Sequence, residues 1–213
     1  MTGRLITLEG IDGSGKSTAL PHIARKIAEK QPKRKIVLTA EPTSEEVGRI
    51  LRAELREASG DEQASPAMRM KELFLFMADH AQHLDRIVQP SLKDGAVVLS
   101  DRYADSTAAY QGVTLQGIVP HPVVWIQEVF RPWNAVPDMT LLFLLDPELA
   151  LKRLGSRPGK EKFERLDFLR SVEENFRRIA SAEPERFVLI NAAQDEEAVA
   201  RDAARATLDL ISR

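Results

Sequence analysis

Cysteine is absent from the 213 residues, which excludes disulfides, thiolate metal sites and cysteine nucleophiles. A surplus of one charge is absent too. Thirty Lys and Arg stand against 32 Asp and Glu, a formal net charge of −2, so no overall basic field favours nucleic acid or a membrane surface. Any anionic ligand must be held by a local site. Apolar runs such as 141–145 fall far short of the roughly 20 residues that a helix needs to cross a bilayer. No secretory signal, internal repeat or low-complexity tract is apparent, because the chain leads directly into a strand pattern; a cytoplasmic protein is expected.

What is present is ordinary globular material, 43% hydrophobic and 29% charged, enough for a substantial core in one compact domain carrying at most a small insert. Short apolar runs at 5–8, 36–38, 96–99, 140–145 and 187–190 alternate with segments of helical periodicity at 16–30, 45–57, 66–92, 147–155, 163–182 and 195–212. Strands alternating with helices imply an α/β fold built from βαβ units on a parallel sheet. Ligands of such sheets sit beyond the carboxyl ends of the strands. Four of the five runs end there in charged residues: Glu9, Glu41, the pair Asp101-Arg102, and Asp146.

The first of these ends carries the clearest motif. Gly10-Ile11-Asp12-Gly13-Ser14-Gly15-Lys16-Ser17 matches G-x-x-x-x-G-K-[ST] in full, between an apolar run and a helical one. The glycines let successive backbone N–H groups curl around phosphate oxygens, and the helix beginning near Lys16 adds its positive end. In this motif Lys16 bridges the β- and γ-phosphates of ATP, Ser17 ligands Mg²⁺, and Thr18 follows in the first turn. A guanine reader of the type Asn-Lys-x-Asp is missing, and the chain is short for a transporter or helicase motor. A small kinase fits best.

Three further segments, Thr39-Ala40-Glu41-Pro42-Thr43, Phe76-Met77-Ala78-Asp79-His80-Ala81-Gln82-His83 and Asp101 through Gly112, resemble the thymidylate kinase family in the same order, and Asp12 in the loop belongs to that pattern. The likeness covers essentially the whole chain. It implies a P-loop fold with strand order 2-3-1-4-5, ATP and Mg²⁺ as cofactors, thymidine monophosphate as acceptor and a homodimer. Arg102, planar and permanently charged, can hold two phosphate oxygens at once and is expected to clamp the acceptor phosphate. Asp101 either acts through Mg²⁺-bound water or orients Arg102. The resemblance gives Asp12 a bond to the sugar 3′-hydroxyl. Phe76 would stack on the base and His80, one helical turn on, would reach its edge. Thr107, Tyr110 and Gln111, with Glu41 and Pro42, complete the implied acceptor site.

Two positions depart from the family pattern: Ala40 and His80 stand where it usually has Arg. Position 13 is Gly, so the loop itself lacks an Arg, and cations over the transferring phosphate must come from elsewhere. Segment 156–162, basic and broken by Pro158-Gly159, reads as a flap within about 153–164 of a single 1–213 domain. Arg157 is the first choice for the phosphate, with Lys160 and Lys162 behind it, and Arg153 is expected near the adenine. Ala193 lies in a segment, 191–194, that resembles the adenine-side loop of the family.

Overall fold

A computed structural model of the chain describes residues 2–57, 64–155 and 165–212. Among these residues five strands form one parallel sheet in the order β2-β3-β1-β4-β5, the order expected. They are β1 (Arg4–Glu9), β2 (Ile36–Ala40), β3 (Val97–Asp101), β4 (Met139–Leu144) and β5 (Phe187–Asn191). The three central strands are apolar runs rather than alternating ones because both sheet faces are covered. Leu5, Ile6 and Leu8 of β1, Val97 to Leu99 of β3 and Leu141 to Phe143 of β4 are all buried. The edge strands each leave one large apolar residue in solvent, Leu38 and Leu189.

Between the strands run α1 (Lys16–Lys30), α2 (Glu46–Glu57), α3 (Pro66–His83), α4 (Gln89–Lys93), α5 (Ala104–Thr114), α6 (Pro122–Phe130), α7 (Pro147–Leu154) and α8 (Leu166–Ala182), and α9 (Glu196–Ile211) follows the last. Helix α1 buries Ala19, Ile23 and Ile27, one residue per turn, and packs against α9. Helix α8 buries Leu169, Val172, Phe176 and Ile179 on the same principle and packs against α5. None of the described helices is long and apolar enough to cross a membrane.

Two elements differ from the sequence expectation. The single helix expected over 66–92 is interrupted by a wider π-turn, Leu84–Val88, in which the Gln89 N–H reaches back to the Leu84 carbonyl. Pro90, which has no N–H to give, lies just beyond, and the widened turn lets the helix run on through it. Helix α6 was not anticipated at all. Its Pro-Val-Val-Trp-Ile sequence is rich in β-branched and aromatic residues, yet Pro122 starts the helix and Ile126 and Phe130, four apart, bury one face.

Candidate active site

Strand register gathers the charged ends on one rim. Asp101 of β3 pairs with Leu8 of β1 on one side and with Ala40 of β2 on the other, so Glu9, Glu41 and Arg102 emerge together. The loop after β1 holds Gly10, Gly13 and Gly15 at φ of 136°, 79° and 90°. At Gly10 a Cβ would sit 2.5 Å from the Phe143 carbonyl oxygen, so position and conformation both demand glycine. Gly10→Ala is therefore expected to lower stability by roughly 1–3 kcal/mol and to weaken nucleotide binding, as read by thermal unfolding and calorimetry.

Lys16 folds across this loop. Its Nζ donates to the carbonyls of Gly10 and Ile11, each at 2.9 Å, and to Ser14 Oγ at 3.2 Å. Burial, with the Arg102 charge nearby, pushes the ammonium down to about 8. Ser17 Oγ donates to Asp101 Oδ2 at 2.6 Å, joining the end of the loop to the end of β3. Gly13 to Thr18, Arg153, Ala192 and Gln194 line a cavity of about 480 Å³ beside them. Arg153 donates to the Ala192 carbonyl at 3.1 Å. The expected Ala193 is not among the lining residues; its neighbours Ala192 and Gln194 are, because Ala193 turns its N–H to Asn191 Oδ1 and faces outward. Asp146, the charged end of the fourth run, caps α7 by accepting from the N–H groups of Glu148 and Leu149.

Arg102 stands opposite the loop at φ 70°, a left-handed conformation unusual for a side chain of this size. It donates to Asp12 Oδ1 at 2.5 Å, to Ser106 Oγ at 3.0 Å and to the Gly10 carbonyl at 3.3 Å, and lies over the Tyr110 ring at 4.9 Å. Tyr110 Oη donates to the other Asp12 oxygen at 3.0 Å. Burial alone would raise the Asp12 carboxyl, but the charges of Arg102 and Lys16 hold it below its usual value. Ser106 in turn donates to Glu9, whose carboxyl is fully buried. Burial, reinforced by Asp105, pushes Glu9 well above the usual carboxylate range. Asp105 is itself clamped by Arg186 at 2.7 and 2.9 Å, which fixes the first turn of α5 against the sheet.

A second cavity adjoins the first. Asp12, Glu41 and Arg102 line both; Pro42, Leu55, Phe76, Thr107 and Tyr110 line the second alone. Leu55 gave no signal in the sequence, since an apolar residue on an amphipathic helix reads as core. The structure thus brings together every expected acceptor residue except two. His80 does not reach this cavity. It is fully buried, with Nδ1 2.8 Å from Glu41 Oε1 and Nε2 3.0 Å from Asn134 Oδ1. Four residues along a helix also means about 6 Å along its axis, enough to carry His80 past the edge that Phe76 occupies. Gln111 is likewise interior, donating to Glu72 at 2.9 Å and accepting from Thr114 at 2.8 Å. Arg157, Lys160 and Lys162 lie outside the described residues.

Two adjoining cavities that share one arginine, the first built on a phosphate loop, suit a P-loop enzyme that moves a phosphoryl group between two nucleotides. Comparison with known proteins agrees. The family model described as thymidylate kinase matches residues 8–203. A probable thymidylate kinase of Methanosarcina acetivorans is 44% identical over all of this chain and 99% of its own length. Those of Methanococcoides burtonii (43% identity, 99% of each chain) and Natronomonas pharaonis (44%, 98% of this chain and all of its own) are similar. The chain belongs to the thymidylate kinase family.

Proposed function

We propose that this chain transfers the γ-phosphoryl group of MgATP to thymidine monophosphate, giving ADP and thymidine diphosphate. The observation that carries the reading is Arg102, on the wall common to both cavities and within 3.3 Å of the phosphate loop. An oxygen of the acceptor phosphate attacks the γ-phosphorus in line while the bond to the bridging oxygen of ADP breaks. Lys16 and the loop N–H groups hold the donor phosphates, and Arg102 holds the acceptor phosphate against them, so two like charges are kept at reacting distance. Phe76 and Leu55 offer apolar surface to the base, Thr107 a hydroxyl to its edge, and Asp12 and Tyr110 polar groups to the sugar. Ser17 and Asp101 set a hydroxyl and a carboxylate side by side, an oxygen donor set that fits Mg²⁺ held otherwise by phosphates and water. The bound ion would offset charge on the phosphate oxygens.

The flap at about 153–164 completes the proposal, with Arg157 as the cation over the transferring phosphate. We also place the protein in the cytoplasm as a homodimer. Its pairing surface would be the side of α3 where Ala67, Lys71 and Phe74 are exposed. The test of the reaction is ADP release from MgATP with thymidine monophosphate, deoxyuridine monophosphate, adenosine monophosphate and free thymidine as separate acceptors. A clear preference for thymidine monophosphate is expected. Preference for another acceptor would keep the mechanism and overturn the base assignment. No acceptor-dependent release would overturn the kinase reading.

A further inference from the structure

His80 and His83 both direct Nδ1 at one atom, Glu41 Oε1, at 2.8 and 2.6 Å. A carboxylate oxygen only accepts, so both rings donate to it. Second bonds hold the rings in place: His80 Nε2 lies 3.0 Å from Asn134 Oδ1, and His83 Nε2 2.8 Å from Thr39 Oγ1. His80 is also enclosed edge-on by Tyr103, Phe130 and Trp133, with ring centroids 4.5, 4.9 and 5.4 Å away. Both imidazoles are fully buried, whereas Glu41 lines the donor and the acceptor cavities alike.

That placement is otherwise costly. A nearly buried carboxylate beside two anionic ligands repels both unless its charge is offset locally. His80 can offset it. Its two nitrogens both face oxygen acceptors, which calls for a proton on each and a cationic ring. Burial acts against that cation, but the Glu41 charge and bond outweigh it and raise His80 above its ordinary value, while Glu41 is held down at about 2. His83 needs no second proton, because the Thr39 hydroxyl can donate to its Nε2. Other titratable groups nearby are Asp79, bonded to Thr43, the Tyr103 phenol, which donates to the Ala135 carbonyl, and the paired Asp12 and Arg102, which line both cavities with Glu41.

We propose that His80 and His83 are positioning residues of the acceptor site: together they fix the Glu41 carboxylate on the wall shared by the two cavities, and His80 neutralises it where two anionic substrates meet. This rests on the reading of the chain as a nucleotide kinase. His80, expected from the sequence at the base edge, lies one layer behind the pocket.

The test compares His80→Leu and His83→Leu with His80→Asn and His83→Asn, whose amide N–H can stand in for Nδ1–H. In the Leu variants the KM for thymidine monophosphate should rise roughly 10- to 100-fold, the range for one hydrogen bond to a charged group, with a smaller loss of ATP affinity. His83→Asn should recover most of the loss, and His80→Asn, which restores the bond but not the positive charge, only part of it. In a Glu41→Gln background the His80 substitution should add no further loss. Unchanged acceptor KM, or equal loss of ATP affinity with no recovery by Asn, would overturn the proposal. Should the Leu variants not fold, nitrogen-15 histidine spectra of the intact chain decide. A doubly protonated His80 at neutral pH that loses one proton in Glu41→Gln is expected, and a neutral His80 overturns the idea. Absence of acceptor-dependent ADP release in the unaltered chain would instead sink the functional reading, which those spectra do not depend on.

Discussion

Arg102→Ala is expected to lower kcat/KM for the acceptor by about 10²- to 10³-fold, the loss typical when one preorganised charge-stabilising donor is removed. ATP affinity should change little, because the loop N–H groups and Lys16 remain. The size of the effect follows from what the guanidinium joins: Asp12 and Gly10 in the phosphate loop, Ser106 in α5, and the face of Tyr110. No shorter side chain spans these. Arg102→Lys should restore only part of the activity, since a single ammonium cannot present two parallel N–H bonds to a phosphate. Steady-state kinetics with each substrate varied in turn, beside calorimetric ATP binding, checks the split. Activity equal to that of the unaltered chain would remove Arg102 from the acceptor site.

Lys16→Met should be at least as damaging, with kcat reduced by about 10²- to 10³-fold or more on the same grounds. Methionine keeps the length of the stem but leaves the Gly10 and Ile11 carbonyls and Ser14 Oγ without their shared donor. The substitution thus removes the cation that would reach the β- and γ-phosphates and also loosens the loop that presents the backbone N–H groups. Single-turnover measurement of phosphoryl transfer at saturating ATP separates the two effects. A normal transfer rate there would confine Lys16 to ATP binding.

Much of this was legible in the chain itself. The strands announced themselves as apolar runs because a covered parallel sheet needs nothing else, and the phosphate loop because its requirements are local: glycines at fixed offsets and a lysine at the start of a helix. Arg102 was legible from its position after β3. What could not be read was contact between distant segments. Nothing near Glu9 says that Ser106 will be its partner, or that Arg186 will clamp Asp105 from the far end of the fold. His80 shows the limit most clearly. Its helical spacing from Phe76 was correct, yet spacing gives a shared face and not a shared depth, and nothing in the sequence says that Glu41 will take both His80 and His83 as donors. Helix α6 was hidden for another reason: its residues favour strands, and packing of Ile126 and Phe130 decided otherwise.

The bond between Arg102 and Asp12 bears on the thermodynamics of the whole cycle. The guanidinium must turn at least partly from Asp12 to take up an acceptor phosphate, and Asp12 belongs to the loop that the donor occupies. If each nucleotide loosens that pair, the first to arrive bears the cost for the second. By linkage, each substrate would then tighten the binding of its partner by the same factor. Synergy between the two nucleotides would in this way be set by one ion pair, so that affinity for either reports how much of the other is at hand.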